Sequence, residues 1–248
     1  MQAYSVYNRA LRQRIADDEK TTGHSGKILP MNDTLYTVAV WVLPVLFAIT
    51  LHEASHAYVA KYFGDTTAYM LGRMSLNPIK HIDLLGTIII PAALILLNSP
   101  FIFGYAKPVP VNFNNLRHPR RSSALVALAG PVSNLFMALL WQIFKIIVVV
   151  SGLQEPFLLK MADAGVLINL VLFAFNLFPL PPLDGGRVLT SLLPPSVAWK
   201  FARIEPYGFF IVLALVYFNM LTYWMRPLMK AGVLIVQTAL FPITFFLR

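Results

Sequence analysis

The chain has 248 residues, of which 57% are hydrophobic and only 12% are charged. This composition excludes a soluble globular protein, since about 25% of the residues in such a domain are charged. It contains no cysteine, which excludes disulfides and thiolate ligands, so any metal must be bound by His, Asp or Glu. The net charge of +9 does not predict nucleic-acid binding, because Lys and Arg are scattered between apolar segments, where they suit anionic lipid.

The apolar residues are grouped into segments long enough to enter a lipid bilayer. Residues 1–33 are charged and polar and are predicted to form an N-terminal tail, whereas residues 34–248 are predicted to form one transmembrane domain, with a core over 34–190 and closing helices over 206–247. A transmembrane helix needs about 20 apolar residues. Six uncharged runs are candidates: 34–51, 84–106, 122–144 with a continuation to 150, 164–183, 206–225 and 231–247.

The run over 84–106 differs from the others because Pro91, Asn98 and Pro100 interrupt it. Proline lacks the backbone donor and clashes with the preceding helical turn. We therefore predict an all-α polytopic membrane protein with about five full transmembrane helices. Between the first and second complete spans we predict a re-entrant insertion, over 72–111, that can contain β-structure.

The first run ends in the sequence His52-Glu-Ala-Ser-His56. Two histidines four residues apart lie on one helical face and can bind the same zinc ion, while Glu53 lies beside the activated water as a general base. Ionisable residues at membrane depth are costly and are therefore candidates for function. The alternative is a helix end whose polar side chains are merely solvated among lipid headgroups.

A hydrolytic zinc ion takes three protein ligands and keeps a fourth position for water. Asp184 is a candidate third ligand, because prolines end the helix before it and Gly185 and Gly186 allow close backbone approach. Its alternative role is an Asp-Gly turn that caps the next helix. The other candidates are acidic and histidine residues of polar segments: Asp17, Asp18, Glu19, His24, Asp33, Asp65, His118, Glu155, Asp163 and Glu205.

Three segments of the chain resemble the motifs of one protein family. The HEASH sequence, the segment Gly130-Pro-Val-Ser-Asn134 and the segment from Asn176 to Asp184, NLFPLPPLD, closely resemble the site-2 proteases, which are polytopic intramembrane zinc metalloproteases. The segments 72–83 and 104–111 resemble the compact prokaryotic members of this family, which lack a PDZ domain.

The resemblance, which covers roughly residues 40–190, implies a set of site residues and a substrate class. It implies that His52, His56 and Asp184 bind one zinc ion per chain and that Glu53 is the catalytic base. It also implies hydrolysis of membrane-embedded substrate helices, as in regulated intramembrane proteolysis.

Four further polar residues have open roles. Asn134 and Asn176 lie inside apolar runs, where an unpaired amide is costly, so each must bond to a helix, the substrate or the reacting carbonyl. Asn134 is predicted to bond between helices, with a substrate-binding or oxyanion role as its alternative. Asn176, which the resemblance places near the active site, has a substrate-binding, oxyanion or packing role. His81 and Asp83 are expected in a solvated loop, with a metal site or support of a ligating histidine as alternatives.

The proposed ligands also predict the topology. Since His52, His56 and Asp184 follow the ends of their runs, both ends must lie on one side of the membrane, and the hairpin between 122 and 183 places residue 123 there too. The run 84–106 must then dip into the membrane and return. More Lys and Arg lie on this side, which the positive-inside rule puts nearer the cytoplasm in a multi-pass protein of the cell membrane.

The predicted function is that of a zinc endopeptidase whose partners are the lipid bilayer and a membrane-spanning protein substrate. One alternative is an intramembrane metal-ion transporter, which would place further ligands along a path; residues 206–247, however, contain no His, Asp or Glu. The other alternative is a non-catalytic membrane scaffold, which the intact Glu53 disfavours.

Overall fold

The computed structural model describes residues 31–97, 104–153 and 155–246. The described residues up to Val38 belong to one unit and those from Ala39 onward to a second, to which the packing and the site described below belong. Except for its last three residues, the predicted tail over 1–33 lies outside the described residues.

The described residues form nine α-helices and no β-strand. They are α1 Met31–Tyr62, α2 Thr67–Met70, α3 Ile90–Leu96, α4 Pro119–Val150, α5 Pro156–Asn176, α6 Asp184–Leu192, α7 Pro195–Ala202, α8 Glu205–Tyr217 and α9 Leu221–Phe246. Short 3₁₀ turns lie at Pro78–His81 and Phe113–Asn115, and a π-helical turn at Leu84–Ile89.

Helices α1, α4, α5 and α9 are long and apolar enough to cross a membrane. They leave large apolar side chains exposed, such as Phe136 and Ile147 on α4, each 58% exposed, as expected for a surface that faces lipid. The predicted class, an all-α polytopic membrane protein, is confirmed. The described residues contain four such helices rather than about five, because α8, with 13 residues, reaches only about 20 Å.

The predicted boundary between the two closing helices is wrong. The sequence places a turn near Arg226 and Lys230, between helices over 206–225 and 231–247, whereas these residues lie inside α9. The turn instead follows α8 and contains Asn219, whose φ of 58° is the left-handed conformation that ends many helices. Charged side chains on an exposed helix face do not end a helix, which is why the charge pattern misled the prediction.

The segments before and after residues 98–103 lie side by side, and the re-entrant path of the insertion stays a prediction. The Tyr105 N–H donates to the Gly86 carbonyl at 3.0 Å, and the Lys107 N–H donates to the His81 carbonyl at 3.0 Å. Residues 98–103 lie outside the described residues. The predicted β-structure is absent from the described part, where residues 104–112 form neither helix nor strand; Pro108 and Pro110 lack the N–H that a ladder needs.

The helices that carry the site pack through small residues. Trp141 of α4 occupies the space where a Cβ on Gly165 of α5 would lie, so these two helices approach closely. Ala138, Leu170, Val236 and Leu240 then form a core that joins α4, α5 and α9. This frame holds α4 against the end of α1 and the start of α6, where the candidate ligands lie.

Candidate metal centre and active site

His52, His56 and Asp184 converge on one point, although Asp184 lies far from the histidines in sequence. The two histidine Nε2 atoms are 3.1 Å apart, and they lie 3.2 Å and 3.4 Å from the Asp184 carboxylate oxygens. Ligand atoms bound tetrahedrally to one zinc ion lie about 3.3 Å apart. Within the described part of the chain, this is the group that could hold a metal.

Hydrogen bonds orient both imidazole rings for metal binding. The His52 Nδ1 atom donates to Asn134 Oδ1 at 2.6 Å, and the His56 Nδ1 atom donates to the Val126 carbonyl at 2.7 Å. Because each Nδ1 carries the proton, each Nε2 presents its lone pair to the common point. The Asp184 Oδ2 atom is buried and accepts no hydrogen bond. The donor set therefore fits a zinc ion with three protein ligands.

A chain of buried amides supports His52. Asn134 Nδ2 donates to Asn169 Oδ1 at 3.0 Å and to the Ala48 carbonyl at 3.2 Å, and Asn169 Nδ2 donates to the Gly165 carbonyl at 2.8 Å. Both amides are fully buried. Sequence analysis missed Asn169, although it is an amide inside an apolar run, the same signal that singled out Asn134.

Glycines let the backbone of α4 and α6 approach the site. A Cβ on Gly130 would lie under 3.0 Å from the rings of His52 and His56, so only glycine allows α4 to pass this close. A Cβ on Gly185 or on Gly186 would likewise lie under 3.0 Å from backbone atoms of the proline segment before α6. This contact fixes α6 with Asp184 as its first residue, and a carboxylate is favourable at a helix N-terminus.

Glu53 lies on the same helix and faces a cavity of about 210 Å³ that the three candidate ligands also line. Its Oε2 atom accepts a hydrogen bond from the Val109 N–H at 2.7 Å. Pro108, Val109 and Val111 line this cavity as well, so this part of the insertion lies beside Glu53 and the candidate ligands. One carboxylate oxygen of Glu53 is held by backbone, which leaves Oε1 for proton transfer.

Asn134 and Asn176, whose roles the sequence analysis left open, occupy different positions in the structure. Asn176 lines the catalytic cavity, and its Nδ2 atom donates to the Leu172 carbonyl of its own helix. Asn134 lies behind His52, where His52, Asn169 and Ala48 occupy its amide. Its position therefore suits support of His52.

His81 is buried, contrary to the solvated loop expected from the sequence. Its Nε2 atom donates to the Ser75 carbonyl at 2.7 Å, and Asp83 accepts the Gly86 N–H at 2.8 Å. Both residues therefore brace the insertion. Two other candidate ligands are also engaged elsewhere, since Asp163 pairs with Lys145 and Glu205 pairs with Arg187.

Comparison with known proteins shows the family of the chain. The model of peptidase family M50 matches residues 142–219. YwhC of Bacillus subtilis strain 168, named as a candidate zinc metalloprotease, is 41% identical over 196 residues, which cover 77% of this chain and 86% of YwhC. The chain belongs to peptidase family M50, the site-2 protease family.

More distant relatives carry names of the same kind. Rip2 of Mycolicibacterium smegmatis, also named as a candidate zinc metalloprotease, is 29% identical over 75% of this chain and 71% of Rip2. MJ0392 of Methanocaldococcus jannaschii, named as a zinc metalloprotease, is 23% identical over 66% of this chain and 37% of its own length. No solved structure matches the chain. The predicted family, the predicted enzyme class of zinc metalloprotease and the predicted zinc cofactor are confirmed.

Replacing Asn134 with Leu in this site-2 protease should raise the Kd for zinc about tenfold to a hundredfold, since loss of a group that orients a ligand costs that much. The substitution leaves the His52 Nδ1–H without its acceptor. Zinc titration of the purified apoprotein measures the effect. Ser133→Ala is the matched control, because Ser133 bonds only to the Gly130 carbonyl; equal affinities in the two variants would contradict the role of Asn134.

Replacing Val109 with Pro should lower the turnover of the protease by roughly tenfold to a hundredfold while zinc stays bound. Proline removes the N–H that positions Glu53, and small misplacements of a catalytic group cost about this much. Val109→Ala keeps the N–H and loses only packing against Ala57 and Ala68. Turnover and zinc content are measured for both variants, and a proline variant as active as the alanine variant would refute the contact's importance.

Asp65 ties the insertion to the loop after α1, and this tie should weaken in acid. Its buried carboxylate accepts hydrogen bonds from Thr67, from the Asn112 N–H at 2.8 Å and from Asn115. Burial alone raises the pKa of Asp65, but these hydrogen bonds outweigh it and hold the pKa below its ordinary value.

A lowered folded-state pKa gives stability that is present above the unfolded pKa of about 3.9 and is lost as the pH falls through the folded value. Asp65→Asn should therefore lower the Tm at pH 7, and the difference from the wild-type Tm should shrink between pH 5 and pH 3. Thermal unfolding in one detergent across this range is the measurement. A Tm difference that does not change with pH would show that the charge of Asp65 is irrelevant.

Proposed function

We propose that this protease hydrolyses peptide bonds of membrane-embedded substrate helices, with zinc held by His52, His56 and Asp184 and with Glu53 as general base. The observation that carries the proposal is the convergence of three ligand atoms, with spacings of 3.1 to 3.4 Å, in one cavity with Glu53. Zinc, when bound, makes water a better nucleophile and polarises the substrate carbonyl.

Glu53 carries the proton through the reaction. Its carboxylate takes a proton from the attacking water as the new C–O bond forms, and its acid form gives that proton to the amine as the C–N bond breaks. The products are a carboxylate and an amine. The Val109 N–H holds Oε2 and thereby turns Oε1 toward the reacting atoms.

Two features support a substrate that lies in the membrane. His52, Glu53 and His56 lie on α1, a helix long and apolar enough to cross the bilayer, so the reacting atoms are close to lipid. Pro108, Val109 and Val111, from a segment that is neither helix nor strand, line the cavity beside Glu53, which favours a substrate peptide that is locally unwound. A substrate helix must unwind locally, because its carbonyls are otherwise bonded within the helix.

Asn176 is the candidate to contact the reacting peptide, since it lines the same cavity. Its amide can bind the substrate backbone or the oxygen that becomes negative in the transition state. Asn134 is assigned instead to the orientation of His52, through their hydrogen bond of 2.6 Å.

The test of this function is hydrolysis of single-span substrates by the purified full chain in detergent, with product sequencing. We expect cleavage within the apolar span, loss of cleavage with a zinc chelator and recovery on adding zinc. Cleavage only in soluble flanks would contradict an intramembrane substrate, and zinc uptake into vesicles without any peptide product would favour the metal transporter.

We also propose that the site lies nearer the cytoplasm, as the excess of basic residues on its side suggests. The chain contains no cysteine, so single cysteines report their side without background. Cysteines at Lys61, Arg120 and Arg187 should label from the cytoplasmic face and a cysteine at Ser151 from the opposite face. Labelling of Lys61 and Arg120 from opposite faces would exclude a re-entrant insertion.

A further inference from the structure

A second cavity, of about 370 Å³, lies beside the catalytic cavity. The two share Phe113 and Arg187 as lining residues, so one wall separates them. Pro181, Leu193 and Ala198 are among the apolar residues that line the second cavity. Its volume lies at the lower end of the range of small-ligand pockets, which is enough for a large amino-acid side chain.

The charged groups around this second cavity are engaged with protein partners. The Arg187 guanidinium donates to Glu205 at 2.9 Å and lies 4.9 Å from the ring centre of Phe113. Arg120 donates to the Leu193 carbonyl. An apolar side chain that enters the cavity would gain by leaving water, and Pro181, Leu193 and Ala198 offer it apolar contacts.

Helix α6 sets the distance between the cavities. Asp184, its first residue, is a candidate zinc ligand, and Arg187 and Thr190 on the following turns line the second cavity. With a rise of 1.5 Å per residue, Thr190 lies about 9 Å along the helix from Asp184. An extended peptide advances about 3.3 Å per residue, so it covers this distance in two or three residues.

We propose that the second cavity is a specificity subsite that binds an apolar side chain of the substrate, two or three residues from the cleaved bond. The proposal rests on the proposed proteolytic function. Substrate is the occupant favoured here because the two cavities adjoin across Phe113 and Arg187, so side chains a few residues apart in one bound peptide can occupy both.

The experiment measures kcat/KM for the purified full chain on peptides whose cleavage position is known from product sequencing. Each of the three residues on either side of the cleaved bond is set in turn to Ala, Leu, Phe or Asp. At one position, two or three residues from the bond, we expect Leu or Phe to exceed Ala by about tenfold or more.

Filling the cavity should reverse this preference. Ala198→Phe places a ring in the cavity and should lower kcat/KM for the Phe or Leu peptides at least tenfold while sparing the Ala peptide; the smaller Ala198→Leu should give a partial effect. Val197→Phe is the matched control, because Val197 lies on the same helix, is 47% exposed and does not line the cavity. Zinc content equal to wild type confirms that each variant is folded.

The possible failures are distinguishable. Wild-type cleavage that ignores side-chain size at every position overturns the subsite and leaves the proteolytic function intact. An equal loss on all peptides in Ala198→Phe also overturns it, since a bound lipid chain or a purely structural cavity would have that effect. Absence of any cleavage by the wild-type chain overturns the proposed function, and the subsite with it.

Discussion

Replacing Glu53 with Gln should remove most peptide hydrolysis while zinc stays bound. Glutamine has nearly the same shape and can still accept the Val109 N–H, but it cannot take a proton from water. Loss of general-base catalysis costs roughly a hundredfold to ten-thousandfold in rate. The measurement is turnover of a single-span substrate beside zinc content in the same preparation.

Two outcomes would contradict the role of Glu53. Turnover within a few-fold of wild type would mean that another group takes the proton, and loss of zinc together with turnover would make Glu53 a ligand rather than a base. Thr67→Ser, purified and assayed in the same way, is the control variant, because Thr67 lies outside the cavity that Glu53 faces and serine keeps its hydroxyl.

Replacing Asp184 with Ala should lower zinc occupancy and activity together, as should His52→Ala and His56→Ala. Each change removes one of three ligand atoms, and a zinc site with two protein ligands falls below the number found in catalytic sites. The loss of zinc distinguishes these variants from Glu53→Gln. Metal analysis and turnover for all four variants in one detergent provide the comparison.

Asp163→Asn is the matched control for the loss of a carboxylate. Asp163 pairs with Lys145 on the other side of the α4–α5 pair and is well exposed, with 58% of its side chain accessible, so zinc content should not change. If Asp184→Ala retained one zinc per chain and normal cleavage, the assignment of the third ligand would be wrong. His81 would not replace it, because its ring is not among the ligand groups that meet at the point shared by His52, His56 and Asp184.

Local sequence determined the parts of this protein that depend on spacing and composition. The uncharged runs predict membrane helices because a bilayer requires about 20 apolar residues, and the spacing of His52 and His56 places both rings on one face of any helix. Prolines ended α5 before Asp184, as expected, because proline cannot continue a helix. The turn between α8 and α9 depended on the backbone conformation of Asn219, for which the charge pattern held no signal.

Tertiary structure decided everything that joins distant residues. The sequence made Asp184 a candidate ligand, but its spacing did not show that Asp184 lies beside His52. It also did not show that Asn169 hydrogen-bonds to Asn134 or that the Val109 N–H donates to Glu53. Hydrogen bonds form between atoms about 3 Å apart, and the close packing that brings these residues together depends on Gly130 and Gly165, where a Cβ would collide with a neighbouring ring. Sequence periodicity fixes directions within one helix, whereas such contacts depend on how several helices pack.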